Sequence, residues 1–167
     1  PGLVNAHHHL LQTAFRSRPE SRSVPMPQWL GLMAQRYSSV GVDPELVAAA
    51  AAAGLAESLL CGVTTVADHH LTWPGGQDPV TLVGGTIDAA ARVGARLVFV
   101  RGTARDDPQA AAASVEDIHR THLGAGATGT SADGMLQLAV GPSGVHSDGP
   151  ETFATLGEVA SRLGLRR

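Results

Sequence analysis

Strand-like and helical runs alternate along the whole chain, and this alternation limits the fold more than any other feature. Pro1 to His8 is an apolar run that reads as a first strand. After an Arg-, Ser- and Pro-rich loop from Ser17 to Pro27, Gln28 to Ser38 carries Trp29, Leu30, Met33 and Tyr37 at helical spacing. Asp43-Pro44-Glu45 is a helix start, with a capping side chain, proline at the first position and an acid in the first turn. That helix runs to about Leu60, with Val47, Ala51, Leu55 and Leu59 as its apolar stripe. A β-branched run, Gly62 to Asp68, is the second strand, and a helix from Pro79 presents Val80, Val83, Ile87 and Ala90. Strands at Arg96 to Val100 and Met135 to Val140 alternate with helices at Pro108 to Leu123 and Pro150 to Leu163. The last helix carries Phe153, Leu156, Ala160 and Leu163 as its expected buried stripe. Strict alternation of this kind means a parallel α/β sheet with right-handed crossovers. Four strand-helix units fit either a small doubly wound sheet or half of an eight-unit barrel.

The chemistry at the strand ends separates the two. His7 and His9 end the first strand, Asp68, His69 and His70 the second, Arg101 the third, and Ser143 follows the fourth. Polar groups massed where strands end, ahead of each helix, match the active face of a (β/α)8 barrel. A doubly wound fold concentrates its site at one switch point, usually with a Gly-rich phosphate loop. Gly84-Gly85 is no such loop, because it lies inside a helical pattern.

Composition narrows the class. In 167 residues, 43% hydrophobic and 4% aromatic, the core is built from Ala, Val and Leu. The net charge is −3 and no basic run tracks a phosphate backbone, so nucleic acid is excluded as a partner. No apolar run reaches the ~18 residues of a membrane span. The single cysteine, Cys61, excludes an intrachain disulfide, fits a reducing cytoplasmic setting, and reads as an inert thiol at a helix end. The chain opens on Pro1 without an initiator methionine, and the expectation is that it is an excised piece of a longer protein.

Residues alternate faces along a strand, so His7 and His9 point one way and His8 the other. Two imidazoles two positions apart on one strand can share a metal ion, each at about 2.0–2.1 Å through a neutral ring nitrogen. A packed core histidine explains any one of them but not the pair. A tag remnant is disfavoured because the three sit directly inside an apolar segment. The pattern points to a metal-dependent hydrolase, and a metal site and structural histidines both stay open on spacing alone.

The opening segment, Pro1-Gly2-Leu3-Val4-Asn5-Ala6-His7-His8-His9-Leu10-Leu11-Gln12-Thr13, resembles the first barrel strand of the amidohydrolase superfamily. Glu57 to Leu71, containing Gly62-Val63-Thr64-Thr65-Val66-Ala67-Asp68-His69-His70, resembles its triazine hydrolase and 8-oxoguanine deaminase branch. Arg101-Gly102-Thr103 and Gly141-Pro142-Ser143-Gly144-Val145 continue the likeness. The resemblance implies units one to four of a (β/α)8 TIM-like barrel over residues 1–167. On that resemblance the second half-barrel and a flanking β-sandwich are expected to lie outside these residues, the fifth strand being expected where the sequence stops. It implies one divalent metal per site, usually zinc, with His7 and His9 as its first two ligands. A third histidine from the fifth strand and an aspartate from the eighth would complete the set in family members. The implied reaction is zinc-dependent hydrolysis of a C–N or carbon–halogen bond of a nitrogen heterocycle, by a deaminase or triazine hydrolase. This piece alone is expected to be inactive, and the full-length protein to be a homo-oligomer. A non-catalytic fragment or degenerate barrel that binds a small molecule or partner is the alternative.

By the same resemblance Gln12, His70 and Trp73 are implied at the substrate. The structural readings beside them are a solvated loop amide for Gln12, a polar loop role for His70, and a stacked tryptophan before Pro74 for Trp73. Asp68 is read as a partner for a ligand's second ring nitrogen or as a loop brace, and Arg101 as a group neutralising an anion or, in preference, as a salt-bridged strut within the barrel. His8 is expected to pack, and His69 to lie at the surface. His119, His122 and His146 lack paired spacing and are read as surface or packing residues.

Overall fold

A computed structural model describes all 167 residues. Four strands, β1 (Leu3–His8), β2 (Val63–His70), β3 (Arg96–Thr103) and β4 (Leu136–Pro142), form one parallel sheet in the order β1-β2-β3-β4. Sequential order with parallel pairing and same-handed crossovers puts every connecting helix on one face. This is the barrel arrangement; a doubly wound sheet would need a reversal in strand order.

The helices are α1 (Met26–Val40), α2 (Pro44–Leu60), α3 (Pro79–Val93), α4 (Pro108–His122) and α5 (Pro150–Leu163). Aspartate caps start three of them. Asp43 accepts from Leu46 N, Asp78 from Val80 N and Thr81 N, and Asp107 from Ala110 N, each followed by proline at the first helical position. Helix α1 is longer than its apolar spacing shows, because Pro25 and Pro27 allow the helix to begin before Trp29. Helix α5 buries Thr152, Leu156, Val159 and Ala160, while Phe153 is 40% exposed. The buried stripe is thus rotated from the expected one, away from Phe153.

Sheet and helices share one main core, in which Val66, Leu97, Phe99, Leu138 and Val140 of the strands meet Ala51, Leu55, Val83, Val115, Ile118 and Leu156 of the helices. These strand residues have one parity, so the opposite parity (Ala67, His69, Val98, Ala139, Gly141) faces the concave side. A 3₁₀ turn, Leu10–Phe15, follows β1 and docks on α2. At that contact Gly54 has no room for a side chain, since a Cβ would lie 2.7 Å from Thr13 Oγ1. Helix α1 packs over the same turn through Met33, with Phe15 and Tyr37 edge to face at 5.0 Å. Beyond α5, Arg166 bridges in parallel to Ala139, and its carbonyl accepts from Val140 N at 3.0 Å.

Candidate metal and active site

The strand ends converge on the face from which the loops lead into the helices. His7 and His9 lie side by side there, their Nε2 atoms 3.2 Å apart and their rings edge to face at 4.9 Å. His9 Nδ1 lies 2.6 Å from the carbonyl oxygen of His69. A carbonyl only accepts, so Nδ1 carries the proton and the lone pair of His9 sits on Nε2. That orients the ring as a metal ligand needs, with the second nitrogen held by a backbone acceptor. Two nitrogens 3.2 Å apart, each at ~2.0–2.1 Å from one ion, subtend about 100°, close to tetrahedral. The pair therefore fits two corners of a zinc site. No group of three or more His, Cys, Asp and Glu residues in this chain is placed to hold an ion.

His8 leaves the opposite face, and its half-buried ring has Nδ1 shielded from solvent without a partner. Burial pushes the His8 pKa down. The two histidines ending β2 divide differently from expectation. His69, read from sequence as a surface residue, turns to the concave side, its ring 4.5 Å from that of His7 and 6.3 Å from that of His9. Burial, then the neighbouring His7 and His9, lower its pKa. His70 is buried against Trp73 at 4.8 Å and Phe99 at 5.7 Å, and its Nε2–H donates to Thr72 O at 2.8 Å. Its burial pushes its pKa down to about 4, so it is neutral at pH 7.

A cleft of about 250 Å³ opens beside the pair, lined by His9, Gln12, Asp68, His69, His70 and Leu71 from the barrel and by Trp29, Met33 and Tyr37 from α1. Gln12 and His70 are thus brought to one cavity with His9. Trp73 is not part of this wall. It wedges between His70 and the Arg101 guanidinium, which lies 4.4 Å over its ring, and its indole N–H donates to Gly102 O at 2.9 Å. Arg101 in turn pairs with Asp106 at 2.5 Å and donates to Ser114 Oγ at 3.0 Å, an ion-paired strut on the helix side. The missed residues, His69 and the α1 wall, left only weak signals: a histidine one place from the one chosen, and an aromatic stripe indistinguishable from core.

Asp68 is 1% exposed. Its Oδ1 accepts the Leu10 N–H at 2.7 Å, tying the turn after His9 to β2, while Oδ2 has no partner. Burial raises its pKa to about 7, against the lowering effect of the Leu10 bond. The brace reading of Asp68 is the one this geometry displays.

The pattern of the amidohydrolase family matches residues 1–166. The chain belongs to the amidohydrolase family. It is 30% identical over 178 residues to 8-oxoguanine deaminase from Pseudomonas aeruginosa, covering 99% of this chain and 38% of that protein. Isoxanthopterin deaminase from an unknown prokaryotic organism is 30% identical over 179 residues, covering 99% of this chain and 36% of that protein. The crystal structure of atrazine chlorohydrolase from Arthrobacter aurescens complexed with zinc superposes with a TM-score of 0.83 at 30% identity, over 97% of this chain and 38% of that one. This amidohydrolase chain therefore spans less than two-fifths of the relatives it matches, and its four strand-helix units are the N-terminal part of their TIM barrel.

Proposed function

We propose that this chain is the ligand-bearing first half of a zinc-dependent hydrolase that cleaves a C–N or carbon–halogen bond of a nitrogen heterocycle. The observation that carries the reading is the His7–His9 pair, 3.2 Å apart at Nε2 with the His9 tautomer fixed by His69 O. Zinc bound there would supply an acidified water as nucleophile at neutral pH. His7 and His9 would hold the ion, and the Nδ1–H of His9, bonded to His69 O, would keep its ring turned toward it. Gln12, with an amide donor and acceptor, and His70 face the same cleft, which Trp29 also lines and where a flat heterocycle would sit.

Further ligands belong on later strands, and Arg166 already pairs alongside β4 where the next strand of a barrel would run. The setting we propose is the cytoplasm, in accord with an exposed, unpaired Cys61 and with no helix long and apolar enough to cross a membrane. The substrate is a small heterocycle of the kind named by the deaminase and chlorohydrolase relatives.

The test is zinc content by elemental analysis for His7→Ala, His8→Ala and His9→Ala, beside ammonia release from 8-oxoguanine and isoxanthopterin and chloride release from atrazine in the longer protein. His7→Ala and His9→Ala are expected to lose most zinc and several orders of magnitude in rate, with His8→Ala close to wild type. Retained zinc in the first two would overturn the metal reading. Zinc bound without turnover of any such ring would favour a non-catalytic barrel.

A further inference from the structure

Resting on the reading of His7 and His9 as metal ligands, we propose that His69 is the positioning residue of that pair, aligning both imidazoles from the neighbouring strand. Two independent contacts arise from this one residue. Its backbone carbonyl accepts the Nδ1–H of His9 at 2.6 Å, fixing the tautomer. Its ring lies against the ring of His7 at 4.5 Å with a 30° tilt, an offset stack that limits rotation of an otherwise exposed side chain. The ring of His69 also reaches toward β4. Its Cε1 and Nδ1 atoms lie 3.5 and 3.6 Å from the place a Cβ on Gly141 would occupy, an ordinary van der Waals distance, while Val100 Cγ1 at 2.9 Å is what would crowd that Cβ. His69 therefore spans the concave side from β1 to β4, with His7 on one side and a bare strand on the other.

No protein group hydrogen-bonds the ring nitrogens of His69 among the side-chain bonds of the structure, so stacking and not polar bonding holds the ring. A phenyl ring should then do the same work. No group of three or more His, Cys, Asp and Glu side chains is placed to hold one ion, so His69 does not join His7 and His9 as a third ligand within this chain. Position 69 thus acts on the metal through its neighbours.

The experiment is Co²⁺ titration of the metal-depleted longer protein, followed by its visible absorption bands, for wild type and for His69→Ala, His69→Gln and His69→Phe. Removal of the ring in His69→Ala and His69→Gln is expected to weaken Co²⁺ binding about tenfold or more, the usual cost of losing a residue that orients a ligand. His69→Phe is expected to recover most of that loss with the wild-type spectrum. Should His69→Ala fail to fold by circular dichroism, the Gln and Phe variants carry the comparison. Equal binding by wild type and His69→Gln would overturn the proposal, as would a His69→Phe variant no better than His69→Gln, which would make His69 a ligand or polar partner. His7→Ala and His9→Ala controls that still bind Co²⁺ normally would instead sink the underlying metal pair.

Discussion

Replacing Asp68 by asparagine isolates the consequence of burying a carboxylate with one satisfied oxygen. Asp68 is 1% exposed, Oδ1 accepts from Leu10 N, and Oδ2 has no partner. Its pKa rises from 3.8 to about 7 on folding. Between those values the native state holds a proton that the unfolded chain has released, so this group lowers stability as pH rises and does so fully above pH ~7. Three pKa units at about 1.4 kcal/mol each give a ceiling on the order of 4 kcal/mol, since the site is too buried for solvent to screen it. His70 runs the other way. Its pKa falls from 6.5 to about 4, so its contribution is complete above pH 6.5 and is lost as pH falls toward 4. In wild type the two slopes oppose each other between pH 4 and 6.5. The Asp68→Asn side chain keeps an acceptor for Leu10 N and never ionises. The variant is therefore expected to match wild type near pH ~4 and to exceed it by roughly 2–4 kcal/mol at pH ~8. Urea melts at several pH values, with chelator present, measure this difference, and charges elsewhere cancel in it. A variant less stable than wild type at the alkaline end would refute the reasoning, because the negative charge would then be a net stabiliser.

Gly102→Ala places a Cβ 2.8 Å from the backbone carbonyl of His70 and 2.3 Å from Leu71 Cδ2. Because the backbone cannot yield as a side chain does, a loss of about 1–3 kcal/mol is expected in chemical denaturation, and an unchanged midpoint would show that β2 and β3 separate easily there. The concave face and the β1 edge are open, with Leu3 65% and Val4 66% exposed. The chain alone is expected to self-associate with rising concentration in light scattering behind size exclusion, and to do so less when Leu3→Ser and Val4→Ser are combined. A monodisperse wild-type monomer would count against an unpaired apolar edge.

The alternation of strands and helices was legible because turn and cap residues punctuate it: Asp43-Pro44, Asp78-Pro79 and Asp107-Pro108 each start a helix where their chemistry dictates. His7 and His9 were legible as neighbours because strand alternation puts positions 7 and 9 on one side, although β1 itself ends at His8 and His9 opens the turn after it. The histidines ending β2 were not. His69 and His70 are adjacent, both faces of β2 can be buried in a barrel, and only register with β1 and β3 decides which faces the pair. Phe153 misled for a related reason: helical spacing defines a stripe but not which edge of it meets the sheet. The cleft wall on α1 is apolar at helical spacing, which packing and ligand binding produce alike.

The order of the sheet also bears on how the chain folds. Every strand pairs with its immediate predecessor, and the shared core is closed by helices that follow the strands they cover. The loops to be closed are therefore those of single strand-helix units, whose entropic cost grows only slowly with length. Each unit can dock on the one already made, so a chain emerging from the ribosome meets its own template in the order of synthesis. On this route β1, which carries His7 and leads into His9, precedes the other three strands and is paired only once β2 arrives, after the whole of α1 and α2. Until then the strand leading to the proposed ligands is unsupported, and any ion binding at that stage would depend on two imidazoles with no second strand to hold them.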